Sequence, residues 1–312
     1  MKLSELVEYL NLLDSEPMMP NYNQAARQLT IIEHVVANHA VQIETWSTNY
    51  VNHVDAVKCS FDNALGAWHK LRSALLLQIS DMEQQMYQRS LQVYQDEMSQ
   101  DTTEYILTRQ LSIDQDSEQK ILGRLQQLAN WQWPGMIIHP GKEKFIDHLV
   151  PLDPLYLVDI NLGLLQPAVQ DFTKEYQQRL RLYQINDHEN QQPLWQLPRN
   201  QFGLIFVYNF FNYRPQPVLA RYFADLYELL RPGGTVIFTY NNCDWAHGVA
   251  LAESGYMCYT PGRQIRSLLN ELKFEIIGEY RGLGNLFWME IQKSGEITSI
   301  RGGQSLAKII AT

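Results

Sequence analysis

The stretches FGLIFVYNFF at 202–211 and LLRPGGTVIFTY at 229–240 decide the fold. Each holds a short apolar run rich in β-branched and aromatic residues, the pattern of a strand covered on both faces, as in a parallel sheet. The residues between them, Val218 to Leu230, carry apolar side chains at helical spacing, so the unit reads strand, helix, strand. Arg231-Pro232-Gly233-Gly234 stands between helix and strand, where a fixed proline φ and two glycines are expected to reverse the chain sharply. Working outward, the alternation continues in both directions. Strands are expected at Met136 to His139, Tyr156 to Ile160, Arg181 to Ile185, Leu204 to Tyr208, Thr235 to Tyr240, Phe274 to Tyr280 and Leu286 to Gln292. Helices are expected after the first strand, around Gln166 to Tyr176 and around Gly262 to Leu272.

Upstream of Trp131 the pattern is different. No proline lies between Pro20 and Pro134, and Gly66 and Gly123 are the only glycines there, so helix is the expectation. Val36, Ile43, Tyr50, Val57, Ala64 and Leu71 fall at one heptad position, and Ala40, Val54, Phe61, Trp68, Leu75 and Met82 at the other, with Ser47 interrupting. A period of 3.5 held this long suits helices wound around each other. Unbroken from about Asn21 to Met98, such a helix would measure roughly 110 Å. The alternative is a hairpin or bundle that folds back at Ser47-Thr48-Asn49. Asp101-Thr102-Thr103-Glu104 resembles a capping box and Asp116-Ser117-Glu118 another helix start. His34, His39, His53 and His69 are not spaced as metal ligands on one helix face. The expected organisation is a helical region over 1–130, an α/β domain over 131–293 and a tail over 294–312 that could dock on a neighbour.

Composition bounds the function. A 45% hydrophobic and 19% charged chain of 312 residues can bury a real core. Its formal net charge of −9, without a Lys/Arg cluster, disfavours nucleic acid as partner. Cys59, Cys243 and Cys258 have neither disulfide-framework nor zinc spacing, and no metal site is expected. The first twenty residues lack a secretory pattern and no run of eighteen apolar residues occurs, so a cytoplasmic protein is expected, or one incorporated in a larger particle such as a virion.

The two opening stretches, followed by TPGRQIRSLLNELKFEII at 260–277 and NLFWMEIQK at 285–293, resemble the second half of a class I S-adenosylmethionine-dependent methyltransferase; the resemblance covers about 160 residues. It implies an α/β fold with a seven-stranded Rossmann-like sheet, the last strand inserted antiparallel beside the fifth, here preceded by an all-α, coiled-coil-like region. It also implies S-adenosylmethionine as cofactor, lying across the carboxyl ends of the first strands. Asp159, ending the second strand, stands where the family places an acid that can accept both ribose hydroxyls. Gly141, eighteen residues earlier, lies in the counterpart of the glycine-rich loop, where His139 and Glu143 replace family glycines. The implied cofactor contacts are His139, Gly141, Asp159, Ile160, Tyr208, Asn209 and Phe210.

Methyl transfer from a sulfonium is an in-line displacement in which positioning supplies much of the acceleration, and a base is needed only if the acceptor must lose a proton. Aromatic rings such as Tyr208 and Phe210 could stabilise the sulfonium. After the fifth strand, Asp244 and His247 are candidate bases and Tyr240 a candidate for orienting the acceptor. The fourth strand lacks the Asn-Pro-Pro-Tyr of DNA amine methylation and a Pro-Cys for attack on cytosine, which leaves a small molecule or a protein side chain as acceptor. Two readings stay open: a methyltransferase, or a methyltransferase-derived scaffold that has lost its cofactor and oligomerises or docks through its N-terminal helices.

Overall fold

The computed structural model describes residues 2–15, 27, 44–98, 113–140, 144–170, 172–188, 192–282 and 287–295; within 44–98 it describes side chains at 56, 59 and 62–95. The chain divides into two compact units, Met1–Gln85 and Met86–Thr312.

In the first unit, helix α1 (Leu3–Leu13) buries Leu3, Leu6, Val7 and Leu13. It is joined to the long helix α2 (Glu44–Met98) where Trp68 Nε1 donates to the Leu13 carbonyl at 3.4 Å and Arg72 forms two 2.8 Å bonds with the Asp14 carboxylate. The helix runs unbroken through Ser47-Thr48-Asn49, so the alternative of a fold-back at that point does not occur. These β-branched and capping residues lower helix propensity only slightly, and such costs are overridden within a long helix. Of the heptad positions with described side chains, Leu75 is buried whereas Ala64 is exposed and Leu71 is 53% exposed. Burial along α2 instead follows Leu75, Ile79, Glu83, Met86, Ser90 and Tyr94, closer to the 3.6-residue period of a straight helix. Trp68 and Met82 are half-buried; the heptad residues before Ala64, the stretch Asp101–Glu104, His34, His39, His53 and the tail from residue 296 lie outside the described residues or side chains.

The second unit is built on a seven-stranded sheet: β1 (Gly135–Ile138), β2 (Leu155–Asp159), β3 (Leu180–Gln184), β4 (Phe202–Val207), β5 (Leu230–Thr239), β6 (Phe274–Arg281) and β7 (Phe287–Lys293). Their order is β3-β2-β1-β4-β5-β7-β6, and β7 alone runs antiparallel to its neighbours. Every residue of β1, β2 and β4 is buried, whereas the edge strand β6 alternates. This is why the central strands read as continuous apolar runs. Helix α3 (Gln115–Leu128) covers one face through Ile121 and Leu125, and its Arg124 binds the buried Glu290 of β7, Nε to Oε2 at 2.9 Å. Its N-cap is Asp114, which accepts from Ser117 N at 3.0 Å, two residues before the expected start. A 3-10 helix (Lys144–Leu149) follows β1, then come α4 (Leu162–Gln170), α5 (Lys174–Gln177), α6 (Gln216–Leu229), α7 (Ala246–Glu253) and α8 (Gly262–Glu271). Helix α6 buries Val218, Leu219, Tyr222, Phe223, Leu226 and Leu229 on one face against the sheet core.

One turn expectation is corrected. Arg231-Pro232-Gly233-Gly234 is not a reversal between helix and strand; it lies inside β5, which pairs Leu230 with Phe202 and Thr235 with Leu204. The extra residues form a bulge, the place in a sheet where a missing proline N–H and a Gly233 φ of 75° are tolerated. A Cβ on Gly234 would lie 2.6 Å from the Phe202 carbonyl oxygen, so the close approach of β4 requires glycine.

Candidate functional site

In open α/β sheets, ligands lie outside the carboxyl ends of the strands where the strand order reverses, here between β1 and β4. At the end of β1, His139 donates its backbone N–H to Val158 O at 2.8 Å, extending the ladder, and takes φ 61°. That left-handed conformation is one a glycine adopts freely and a histidine adopts at a cost of about 1 kcal/mol. The glycine-type backbone is therefore kept by a residue with a side chain. Its Nδ1 lies 2.9 Å from Asp159 Oδ2, the geometry of an imidazole donating to a carboxylate. The other oxygen accepts from Asn161 N at 2.8 Å, and Asp159 is wholly buried. The ribose diol of an adenosyl cofactor fits this edge in backbone and carboxylate. It meets one obstacle, the His139 imidazole on the carboxylate edge. Gly141 and Glu143 lie outside the described residues.

Ile160, next to Asp159, is half-buried, and its carbonyl accepts from Gln184 Nε2 at 3.2 Å. Beyond β4, Tyr208 and Phe210 join core clusters on opposite faces of the sheet, so the structure does not bring the two rings to one ligand group. Tyr208 packs on Phe145 with ring centroids 4.9 Å apart. Phe210 is flanked by His139 at 5.8 Å and carries the Arg214 guanidinium over its ring at 4.0 Å, so a resident cation already occupies the aromatic position expected to meet a sulfonium. Between these residues Asn209 takes φ 50° and donates its N–H to Thr239 Oγ1 at 2.7 Å.

Asp187, three residues past β3, was not singled out from the sequence, yet it centres the densest polar cluster at this edge. Arg214 Nε donates to its Oδ2 at 2.7 Å and the Tyr222 hydroxyl donates at 3.2 Å. Its carbonyl accepts from Arg221 at 2.7 Å and from the Tyr94 hydroxyl at 3.0 Å. Burial alone would push the Asp187 carboxyl up; the Arg214 guanidinium, His188 and the hydrogen bonds outweigh it and hold the group below the ordinary carboxylate range. The available signal was an acid just beyond a strand's carboxyl end.

Past β5, the Tyr240 ring is wholly buried and its hydroxyl has no hydrogen-bond partner among the described residues. Burial, with the charges of Glu279 and Asp244, pushes this phenol well up, so it stays protonated at neutral pH and does not serve as a base. Asp244 is ion-paired to Arg266 at 2.7 Å, and Arg266 also binds Glu279 at 2.9 Å. His247 is exposed in the first turn of α7. Among the described residues no group of three His, Cys, Asp or Glu is arranged to hold a metal, and no helix is long and apolar enough to cross a membrane.

Asp225 on α6 supplies a pH test of this unit. It is buried, accepts from Leu194 N at 2.8 Å, and is pushed up to about 6 by burial, with the Leu194 hydrogen bond, Arg199 and Arg221 opposing and Glu228 adding to the rise. Because the folded value exceeds the unfolded one, its contribution is fully present below about pH 4 and is lost as pH rises through about 6. Asp225→Asn keeps the acceptor and is expected to gain about 1–2 kcal/mol at pH 7.5 and almost nothing at pH 4. Urea unfolding at both pH values checks this; an equal gain at both would show that ionisation is not the cause.

No family model matches the chain, and no curated protein is similar to it in sequence. Among solved structures, an S-adenosylmethionine-dependent methyltransferase from Mesorhizobium loti is similar at 12% identity and TM-score 0.44, over 56% of this chain and 97% of that one. The N-methyltransferase NodS from Bradyrhizobium japonicum is similar at 12% identity and TM-score 0.43, over 58% and 99%. A methyltransferase from Aquifex aeolicus is similar at 11% identity and TM-score 0.41, over 56% and 88%. The fold itself is stated by the sheet: seven strands in the order β3-β2-β1-β4-β5-β7-β6 with β7 alone reversed are the class I, Rossmann-like methyltransferase fold.

Proposed function

We propose that the chain is an S-adenosylmethionine-dependent methyltransferase acting on a small molecule or a protein side chain. The observation that carries this reading is the buried carboxylate of Asp159 at the carboxyl end of β2, beside a β1 terminus held in glycine-like φ by His139. A bound cofactor supplies the activated methyl group. In this reading Asp159 receives the ribose hydroxyls once the His139 imidazole turns aside, with Ile160 beside it, and Asn209 lines the opposite wall. Tyr240 is assigned to the acceptor side, where its buried hydroxyl would bond an acceptor once this edge opens. Asp244 is engaged by Arg266, which favours positioning over proton abstraction as the work of this side of the site.

The test is thermal unfolding of the full chain with S-adenosylmethionine and S-adenosylhomocysteine. A ligand of the native state at a hundred times its dissociation constant stabilises by about 2.7 kcal/mol, a rise of about 5–10 °C in Tm for a unit of this size. A folded protein whose Tm stays fixed at millimolar concentrations of both compounds would end the proposal.

The N-terminal helices are proposed to join copies of the chain. Leu71 and Leu77 of α2 and Tyr9 and Leu12 of α1 are each more than half exposed, and such side chains gain most from burial against a partner. Light scattering is expected to give a dimer or larger species; a monomer at micromolar concentration would remove this role.

A further inference from the structure

The carboxyl edge of the sheet is reached by a part of the chain remote in sequence. The last turns of α2, from Met86, belong to the same compact unit as the sheet. At one end, Tyr94 is buried; its hydroxyl donates to Asp187 O at 3.0 Å and lies 3.2 Å from His188 Nδ1, both residues standing past β3. At the other end, Ser90 Oγ accepts from Tyr259 N at 2.8 Å, the Cys258 thiol points at Ser90 O at 3.9 Å, and the Tyr87 hydroxyl accepts from Gln264 Nε2. The rings of Tyr87 and Tyr259 meet edge to face at 5.3 Å. This second group of anchors stands past β4 and β5, because Thr260 bridges to Asn242 and Cys258 N donates to Asn212 O at 2.9 Å.

The dimensions agree with a crossing. In the order β3-β2-β1-β4-β5, four inter-strand spacings separate the outer pair, about 19 Å. Seven helical residues from Tyr87 to Tyr94 rise about 10 Å, and the turn past β3 reaches toward them, its Asp187 carboxylate bonded to Arg214 past β4 at 2.7 Å. Tyr94 adjoins the proposed ligand edge through Arg214, whose guanidinium lies 5.8 Å from the Tyr94 ring and 4.0 Å from the Phe210 ring, and Phe210 flanks His139 at 5.8 Å.

We propose that Met86–Tyr94 is a strap across the carboxyl edge, latched at the β3 side by the Tyr94 hydroxyl on the Asp187–His188 turn, and that a ligand reaches Asp159 when this latch opens. The proposal rests on the reading of that edge as the ligand site. It adds that the gate is the chain's own helix, and that opening breaks polar contacts at two places separable by mutation. Arg214, with its guanidinium 5.8 Å from the Tyr94 ring centroid and bonded to Asp187, holds the seat of the latch rather than the latch itself.

Tyr94→Phe removes one hydroxyl and keeps the ring; Ser90→Ala loosens the other anchorage as an independent variant. The measurements are amide hydrogen exchange over 86–94 and the association rate of S-adenosylhomocysteine, both on the full chain. Loss of a buried hydrogen bond is expected to speed exchange of these amides and ligand association by about tenfold in each variant. If ligand binds the parent and both variants at one rate, the strap is overturned while the cofactor reading stands. If ligand binds none of them, the cofactor reading fails and exchange alone decides. Amides 86–94 that exchange as fast as those of the exposed turns at 62–74, or at rates unchanged by both variants, would then overturn the strap.

Discussion

Arg214→Met is expected to lower the unfolding free energy of the α/β unit by about 3–5 kcal/mol at neutral pH, the cost of leaving a buried carboxylate without its cation. Arg214 and Asp187 are both almost fully buried and share a 2.7 Å charge-assisted bond. Methionine replaces the stem but supplies no donor, so Asp187 keeps its burial and loses its strongest compensation. The sign with pH follows from the Asp187 shift. In the parent the lowered carboxyl contributes stability that is present above the unfolded pKa and lost as pH falls through the folded value. In the variant, burial dominates, the folded value rises, and the deficit is expected to shrink as pH falls toward 4 and the group protonates. Adding Asp187→Asn to Arg214→Met removes the orphaned charge while keeping an acceptor for Tyr222, and is expected to recover more than half of the loss. Urea unfolding of both variants at pH 4.5 and 7.5 decides the matter. A deficit independent of pH and not relieved by the second substitution would mean that lost packing on Phe210, not lost charge pairing, is the cost.

The same cluster shows where sequence reading stops. The strands were legible to within a few residues at their ends because central parallel strands are buried on both faces and so appear as unbroken apolar runs. The start of β5 was not legible. Pro232 and the two glycines are turn residues by composition, and only pairing with Phe202 and Leu204 makes them a bulge. Helix α7 was missed because it begins after Trp245 without a capping side chain. Asp159 was legible because its place at a strand end is local. Asp187 was not, since its partners Arg214 and Tyr94 come from 27 and 93 residues away and nothing near Asn186-Asp187-His188 announces them. The left-handed φ of His139 was equally hidden: the sequence shows a bulky residue in a glycine's place, and only coordinates show that it has taken the glycine's conformation.

That substitution sets the second large effect. In the proposed site a ribose diol must displace the His139 N–H from Asp159, a charge-assisted bond whose loss costs about 1.5–3 kcal/mol. His139→Gly removes this competitor and meets φ 61° without strain, so S-adenosylhomocysteine is expected to bind about 10–100-fold more tightly, read by calorimetry. The same change uncovers a buried carboxylate, so the ligand-free variant is expected to unfold about 1–2 kcal/mol more easily and to regain the difference when ligand fills the place. Asp159→Ala in the His139→Gly background separates the two sides of the argument. If the diol bonds to this carboxylate, its removal is expected to weaken binding about a hundredfold or more, the cost of two hydrogen bonds to a charged acceptor. Equal affinity in the parent and His139→Gly would mean that the imidazole is no competitor. Equal affinity with and without the Asp159 carboxylate would mean that the ligand binds elsewhere on the edge. Opposite shifts in ligand-free stability and ligand affinity on changing His139 alone are what a resident side chain holding a cofactor's place demands, because each bond to Asp159 is available to one of the two at a time.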